Sequence, residues 1–166
     1  HVPAYKEQPH VLIETLDSLA KMKYTNYEVL VVINNTPEEY YWKPIEEHCA
    51  TLGEKFVFLN ITCKGFKAGA LNEALKYTNE KAEILAVIDA DYMVGETWLV
   101  DLVPLFDDPK VALVQAPQDH RDGNESLIKQ AMNAEYAGFF DIGMVERNEE
   151  NAIVAHGTML MARLSA

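Results

Sequence analysis

The sequence predicts an α/β fold with a mostly parallel sheet and helices on both faces, and three observations carry that prediction. Tyr27-Glu28-Val29-Leu30-Val31-Val32-Ile33 and Ile84-Leu85-Ala86-Val87-Ile88 are largely apolar, β-branched runs, the pattern of strands covered on both faces. Around them lie segments with apolar residues at helical spacing, so strands and helices alternate without repeats or low-complexity linkers. The 166 residues are 49% hydrophobic, enough for one buried core, and one domain over residues 1–166 is expected.

Each element follows in order. Val2-Pro3-Ala4-Tyr5 reads as the end of a strand whose start lies upstream. Val11, Leu12, Thr15, Leu16, Leu19 and Met22 recur at helical spacing, with Pro9 near the first turn, where its missing N–H costs little; a helix over about 10–22 follows. The strand through Ile33 ends at Asn34-Asn35-Thr36-Pro37, which has turn and helix-start chemistry. Residues 38–52 read as helix, 56–61 as strand and 67–77 as an Ala-rich helix. After the strand at 84–88 come a short helix over 97–105, a strand over 111–115, a long helix over 125–145 and a strand over 153–161. On the long helix, Met132, Tyr136, Phe139, Phe140 and Met144 form an apolar stripe: core if buried, a face for further segments if exposed. Both ends read as cut, so the chain is expected to be a piece of a larger protein.

Composition excludes several classes. The formal charge of −12 disfavours nucleic-acid backbones and anionic membrane surfaces as partners. Any phosphate ligand must then be met by a metal, local cations or backbone donors. Cys49 and Cys63 have no C-x-x-C spacing and read as buried, free thiols. No apolar run approaches the ~18–20 residues needed to span a bilayer. His48 and His120 lack metal-ligand spacing and read as surface residues.

The chemistry concentrates where the strand at 84–88 stops at Asp89-Ala90-Asp91. Ligands of open α/β sheets bind beyond the carboxyl ends of strands, and alternation along an extended chain sends both Asp side chains the same way. Both carboxylates could then face one divalent cation, a hard ion whose remaining shell a nucleotide diphosphate would complete. An isolated D-x-D also simply opens turns, so other segments must decide. Pro3–Glu7 and Ile33–Thr36 end strands on the same edge. Lys67 precedes Ala68-Gly69-Ala70-Leu71-Asn72, so a cation and free helix N–H groups suit phosphate there; the same small residues also permit close packing of an ordinary helix start. A G-x-G-x-x-G fingerprint is absent.

Five motifs in order carry a resemblance: Val2-Pro3-Ala4-Tyr5-Lys6-Glu7, Gly65-Phe66-Lys67-Ala68-Gly69-Ala70-Leu71-Asn72, Asp89-Ala90-Asp91, Val114-Gln115-Ala116-Pro117-Gln118 and His156-Gly157-Thr158. Nearly the whole chain resembles family 2 glycosyltransferases, especially the processive, membrane-embedded branch of bacterial cellulose and glucan synthases. The resemblance implies a GT-A, Rossmann-like fold and inverting transfer from a nucleotide-diphospho-sugar, commonly a UDP-sugar, to a growing glycan. It implies a donor site of Pro3, Ala4, Tyr5, Glu7, Asn34, Asn35, Lys67, Asn72, Asp89, Ala90 and Asp91. Asp91 would be the principal ligand of Mg²⁺ or Mn²⁺, with Asp89 reaching the ribose or the metal. The cation would act by Lewis-acid and electrostatic catalysis. His156 and Gly157 would border the acceptor. The resemblance also implies polysaccharide biosynthesis at the cytoplasmic face of the bacterial inner membrane, with membrane attachment through segments outside this chain.

Two departures stand out. Asn34 and Asn35 replace the acidic pair that many relatives carry, so the acceptor for a uracil N–H would be an uncharged amide carbonyl. The family's later T-E-D motif, whose Asp is the general base, and its Q-x-x-R-W motif have no counterpart, and loss of a base slows such transfer by roughly 10²–10⁴. A nucleotide-sugar-binding piece without turnover, a sugar nucleotidyltransferase and a purely structural α/β domain are the competing classes. Pro3–Glu7 lacks the Gly-rich signature usual in nucleotidyltransferases.

Overall fold

The computed structural model describes residues 1–165. Contacts divide the chain into two compact units, one of His1–Val114 with the run from Met161, the other of Gln115–Leu160.

In the first unit, β1 (Val2–Ala4), β2 (Val29–Asn34) and β3 (Phe56–Ile61) form a parallel sheet in the order β1-β2-β3, with Val2 opposite Val31 and Val29 opposite Phe56. A second sheet has the order β4-β6-β5, from β4 (Ile84–Val87), β5 (Leu113–Gln115) and β6 (Leu160–Arg163). The His1 backbone joins them: its nitrogen donates to the Ala86 carbonyl (2.6 Å), and Ile88 N–H donates to the His1 carbonyl (3.0 Å). Strand order across the join is therefore β3-β2-β1-β4-β6-β5.

All six residues of β2 are buried, as its unbroken apolar sequence requires. Leu30 and Val32 pack on Ala70 and Ala74 of α3 (Phe66–Ala74), with Val57, Leu59 and Ile61 at the margin. Alanines on this helix face let it approach the sheet closely. Helix α1 (Pro9–Ala20) starts on Pro9 and buries Leu12, Leu16 and Leu19, the face its spacing predicts. Helix α2 spans Glu39–Leu52, and the short α4 spans Trp98–Leu102. Both cysteines are free. Cys49 is buried, which pushes its thiol up to about 11, whereas Cys63 is only half-buried, contrary to expectation. His48 Nε2 pairs with Asp17 Oδ1 at 2.8 Å.

The last strand and the long helix also differ from expectation. The last strand begins at Leu160 rather than Ile153. Gly157 (φ +75°) and Met159 (φ +50°) interrupt extension before it, because left-handed residues turn the chain out of a strand. Arg163 N–H donates to the Ala112 carbonyl and Ala116 N–H to the Met159 carbonyl, so β6 runs antiparallel to β5. The long helix is α5 (Leu127–Ala137), a wider π turn over Gly138–Gly143 and α6 (Met144–Glu149). Of its apolar stripe, Phe140 and Met144 are buried and Met132 and Phe139 exposed, so the stripe is core over only part of its length. No helix among the described residues is long and apolar enough to cross a membrane.

Candidate functional site

Four loops leave the carboxyl ends of β1 to β4, and each is held by a specific bond. After β4, Asp89 is half-buried, Ala90 buried and Asp91 exposed. The Thr15 hydroxyl of α1, 1% exposed, donates to the Ala90 carbonyl at 2.8 Å, and Val94 N–H donates to Ser18 Oγ at 3.2 Å. These bonds fix the turn carrying both carboxylates to the helix beneath it. Sequence reading placed Thr15 on an apolar face and missed this role. The available signal was its place as a hydroxyl among Leu12, Leu16 and Leu19, because a buried hydroxyl needs a partner.

Lys67 Nζ forms an ion pair with Asp89 Oδ1. The Glu7 carboxyl is held above the ordinary glutamate range, first by partial desolvation and then by the negative charges of Asp91 and Asp89. Glu7, Asp89 and Asp91 thus share one electrostatic environment at the sheet edge.

The segment after β1 is tied to β2. Asn34, 4% exposed, donates from Nδ2 to the Ala4 carbonyl (2.9 Å). Thr36 Oγ1 accepts from Lys6 N–H (3.3 Å) and donates to the Asn34 carbonyl (2.9 Å). Lys6 Nζ meets Glu38 Oε1 at 2.8 Å, which draws the Glu38 carboxyl below its ordinary value. Pro3 and Ala4 are buried in β1, whereas Tyr5 is exposed. Asn35 holds the loop after β3: its Nδ2 donates to the Cys63 carbonyl (2.9 Å), and Cys63 N–H donates to its Oδ1 (3.1 Å). Asn72 lies exposed on α3.

Within the second unit, Gln115 organises the segment containing His156 and Gly157. Its Oε1 accepts from His156 N–H (3.0 Å), and its Nε2 donates to the Thr158 carbonyl (3.0 Å). The His156 ring lies edge-on to Phe139, with centroids 5.0 Å apart.

A cavity of about 480 Å³ lies elsewhere in the first unit. Its lining includes Leu19, Met22, Val29, Ile84, Trp98 and Met161, at the amino ends of β2 and β4 rather than beside the carboxylates. The charged and polar groups Glu7, Lys67, Asp89 and Asp91 gather instead at the carboxyl edge. Among the described residues, no group of three or more His, Cys, Asp or Glu is placed to hold a metal.

The fold is that of the GT-A class. The mannosyltransferase PcManGT from Pyrobaculum calidifontis, solved in complex with GDP-Man and Mn²⁺, matches with a TM-score of 0.57 and 26% identity over 71% of this chain and 35% of its own. Glucosyl-3-phosphoglycerate synthase from Mycobacterium tuberculosis matches 98% of this chain and 55% of its own, with a TM-score of 0.58 and 16% identity, a likeness of fold. Residues 1–166 match the family model described as Glycosyl transferase family 2, and the chain belongs to that family. Beta-monoglucosyldiacylglycerol synthase from Nostoc sp. (strain PCC 7120 / SAG 25.82 / UTEX 2576) is 30% identical over 80% of this chain and 28% of its own length. Glucomannan 4-beta-mannosyltransferase 9 from Arabidopsis thaliana is 30% identical over 65% of this chain and 22% of its own. The chain thus spans about a quarter of the length of these curated relatives.

Proposed function

We propose that this chain is the donor-binding domain of an inverting, metal-dependent glycosyltransferase that uses a nucleotide-diphospho-sugar, with UDP as the expected nucleotide. The observation that carries the reading is Asp89-Ala90-Asp91 at the end of β4, with Lys67 paired to Asp89 and Glu7 in the same field. A carboxylate pair supplies hard oxygen donors for Mg²⁺ or Mn²⁺. Partial burial first, and then the negative charges of Asp91 and Asp89, push the Glu7 carboxyl upward, and a divalent cation would offset the charge contribution. The residues fit such a cation when phosphate oxygens complete its shell. When bound, it supplies Lewis-acid stabilisation of charge on the departing diphosphate.

The chain's own residues position the donor. Thr15 locks the turn through Ala90, so Asp91 faces outward without rearrangement. Lys67 restrains Asp89 and brings a cation to the phosphate side of the site. Asn34 fixes Ala4, which sets the path of Tyr5 and Glu7 where the base and ribose are proposed to lie. His156 and Gly157 are assigned to the acceptor side.

The relatives' names differ in the glycoconjugate they name, a monoglucosyldiacylglycerol in one and a glucomannan in the other. Donor-side residues are what such enzymes would hold in common. The proposal extends to a growing glycan acceptor at the cytoplasmic face of a bacterial inner membrane, with attachment supplied outside the described residues. It also holds that residues 1–166 bind donor without completing transfer, since the expected general base is not among them.

Calorimetric titration with UDP, with and without Mn²⁺, tests the reading on the wild type and Asp91→Ala. Mn²⁺-dependent binding that disappears in the variant is the expected result. Absence of binding by folded wild type, or equal binding by both proteins, would overturn it.

A further inference from the structure

We propose that Asn35 is a positioning residue that sets Lys67 against Asp89 by clamping the loop after β3, rather than a residue that touches the nucleobase. This rests on the donor-site reading for its functional consequence, but its structural basis is independent.

Asn35 is the first residue beyond β2 and is held at φ +49°, a left-handed conformation that asparagine tolerates better than most residues. Its own N–H donates to the Ile61 carbonyl at 2.9 Å, continuing the β2–β3 ladder by one step. Its side chain then does what a further strand residue would do. Nδ2 donates to the Cys63 carbonyl (2.9 Å) while Oδ1 accepts from Cys63 N–H (3.1 Å). Both ends of the amide are thereby committed to one backbone residue. A carboxylate could keep only the accepting half, because it has no hydrogen to donate and would set negative charge against the Cys63 carbonyl.

Downstream of that clamp the chain is forced into a narrow path. Gly65 (φ +92°) and Phe66 (φ +52°) both adopt left-handed conformations, and Gly69 N–H donates to the Gly65 carbonyl at 3.0 Å. The Lys64 carbonyl folds over Gly69 so closely that a Cβ there would lie 1.8 Å from its oxygen. With Cys63 gripped on one side and Lys64 seated on Gly69 on the other, the start of α3 has little freedom. Lys67, its second residue, reaches Asp89 from there. Strained backbone persists where surrounding contacts over-determine it, and here the over-determination ends at the lysine of the donor site.

Asn35→Gly tests the inference, because glycine accepts the positive φ while removing the amide. Two readouts separate this inference from the donor-site reading. Without nucleotide, the rate of Lys67 acetylation, followed by mass spectrometry, should rise at least about threefold in Asn35→Gly, and Gly69→Ala should raise it too. With Mn²⁺ and UDP, Asn35→Gly should weaken binding about tenfold in the wild-type background and little in Lys67→Met, since both changes then act through one group. Thermal melts establish that each variant is folded; if Gly69→Ala does not fold, Asn35→Gly alone decides. Unchanged acetylation in folded Asn35→Gly would overturn the inference. So would additive losses in the double variant, or a switch from UDP towards CDP or GDP, either of which would assign Asn35 to the base. Raised acetylation in a protein whose wild type binds no UDP would uphold the clamp and defeat the donor-site reading.

Discussion

The two compact units are stabilised in different ways. In the first, α1 buries five residues and β2 buries six, so side-chain burial fixes the frame from which the polar loops leave. In the second, α5 buries none, and Leu127 and Ile128 are 83% and 76% exposed. That unit buries a smaller set, Ala116, Phe140, Met144 and Met159, and adds local polar contacts: Ser126 caps α5 by accepting from Lys129 N–H, Lys129 meets Asp122 and Glu125, and the Gln115 amide holds the chain at His156 and Thr158. His120, Tyr136 and Phe140 add ring contacts. The candidate residues near Asp89 thus stand on a packed scaffold, whereas His156 stands on a hydrogen bond from its backbone and on the rings of exposed Phe139 and buried Phe140.

The largest expected effect tests that contrast. Leu16→Ala removes a side chain with 0% exposure and should cost about 2–5 kcal/mol in denaturant unfolding. Ile128→Ala, on the exposed face of α5, should stay within about 0.5 kcal/mol. A large loss from Ile128→Ala would show that the second unit buries that face in solution and would break the comparison.

Next in size is the response of the first unit's strand-end site. Asp91→Asn keeps shape and removes one negative charge, so Mn²⁺-dependent UDP affinity should fall by at least about 10- to 100-fold while the melting temperature holds. A parallel fall in melting temperature would instead assign Asp91 to the scaffold.

What the sequence disclosed follows the same division. Strands β2 and β4 and helix α1 were legible because burial leaves an apolar period in the sequence. The lateral order β3-β2-β1-β4-β6-β5 was not, since strand pairing is set by contacts distant in the chain. Polar candidate residues were legible as types at strand ends, but not as partners. Asn34 and Asn35 look alike as letters, yet one amide holds Ala4 and the other Cys63. Ile153–Thr158 looked like strand because its composition is apolar, and Gln115 takes the backbone groups of His156 and Thr158 that a ladder would otherwise use.

A smaller effect should come from Thr15→Val, which keeps the volume and leaves the Ala90 carbonyl without the hydroxyl that donates to it. Stability should fall by about 1–3 kcal/mol, and UDP affinity in Mn²⁺ should drop a few-fold because the Asp89–Asp91 turn is loosened. Intact stability with lost affinity would sharpen the comparison, marking this bond as serving the site more than the scaffold.

The smallest effect is a titration. Desolvation, then Asp91 and Asp89, hold the Glu7 carboxyl above the usual glutamate value of 4.5, so the folded chain keeps that proton to higher pH than the unfolded chain does. For an acid raised in this way, stability is favoured at low pH and declines as pH rises from the unfolded value through the folded one. Glu7→Gln should therefore flatten that decline and leave stability at lower pH unchanged. A divalent cation at Asp91 reverses the preference by favouring the carboxylate, so Mn²⁺ binding should release a fraction of a proton within that window and strengthen as pH rises through it. Titrations in two buffers of different ionisation enthalpy measure the release directly, and Glu7→Gln should abolish it. Equal release from the variant would place the proton on another group and remove Glu7 from the shared field of the two aspartates.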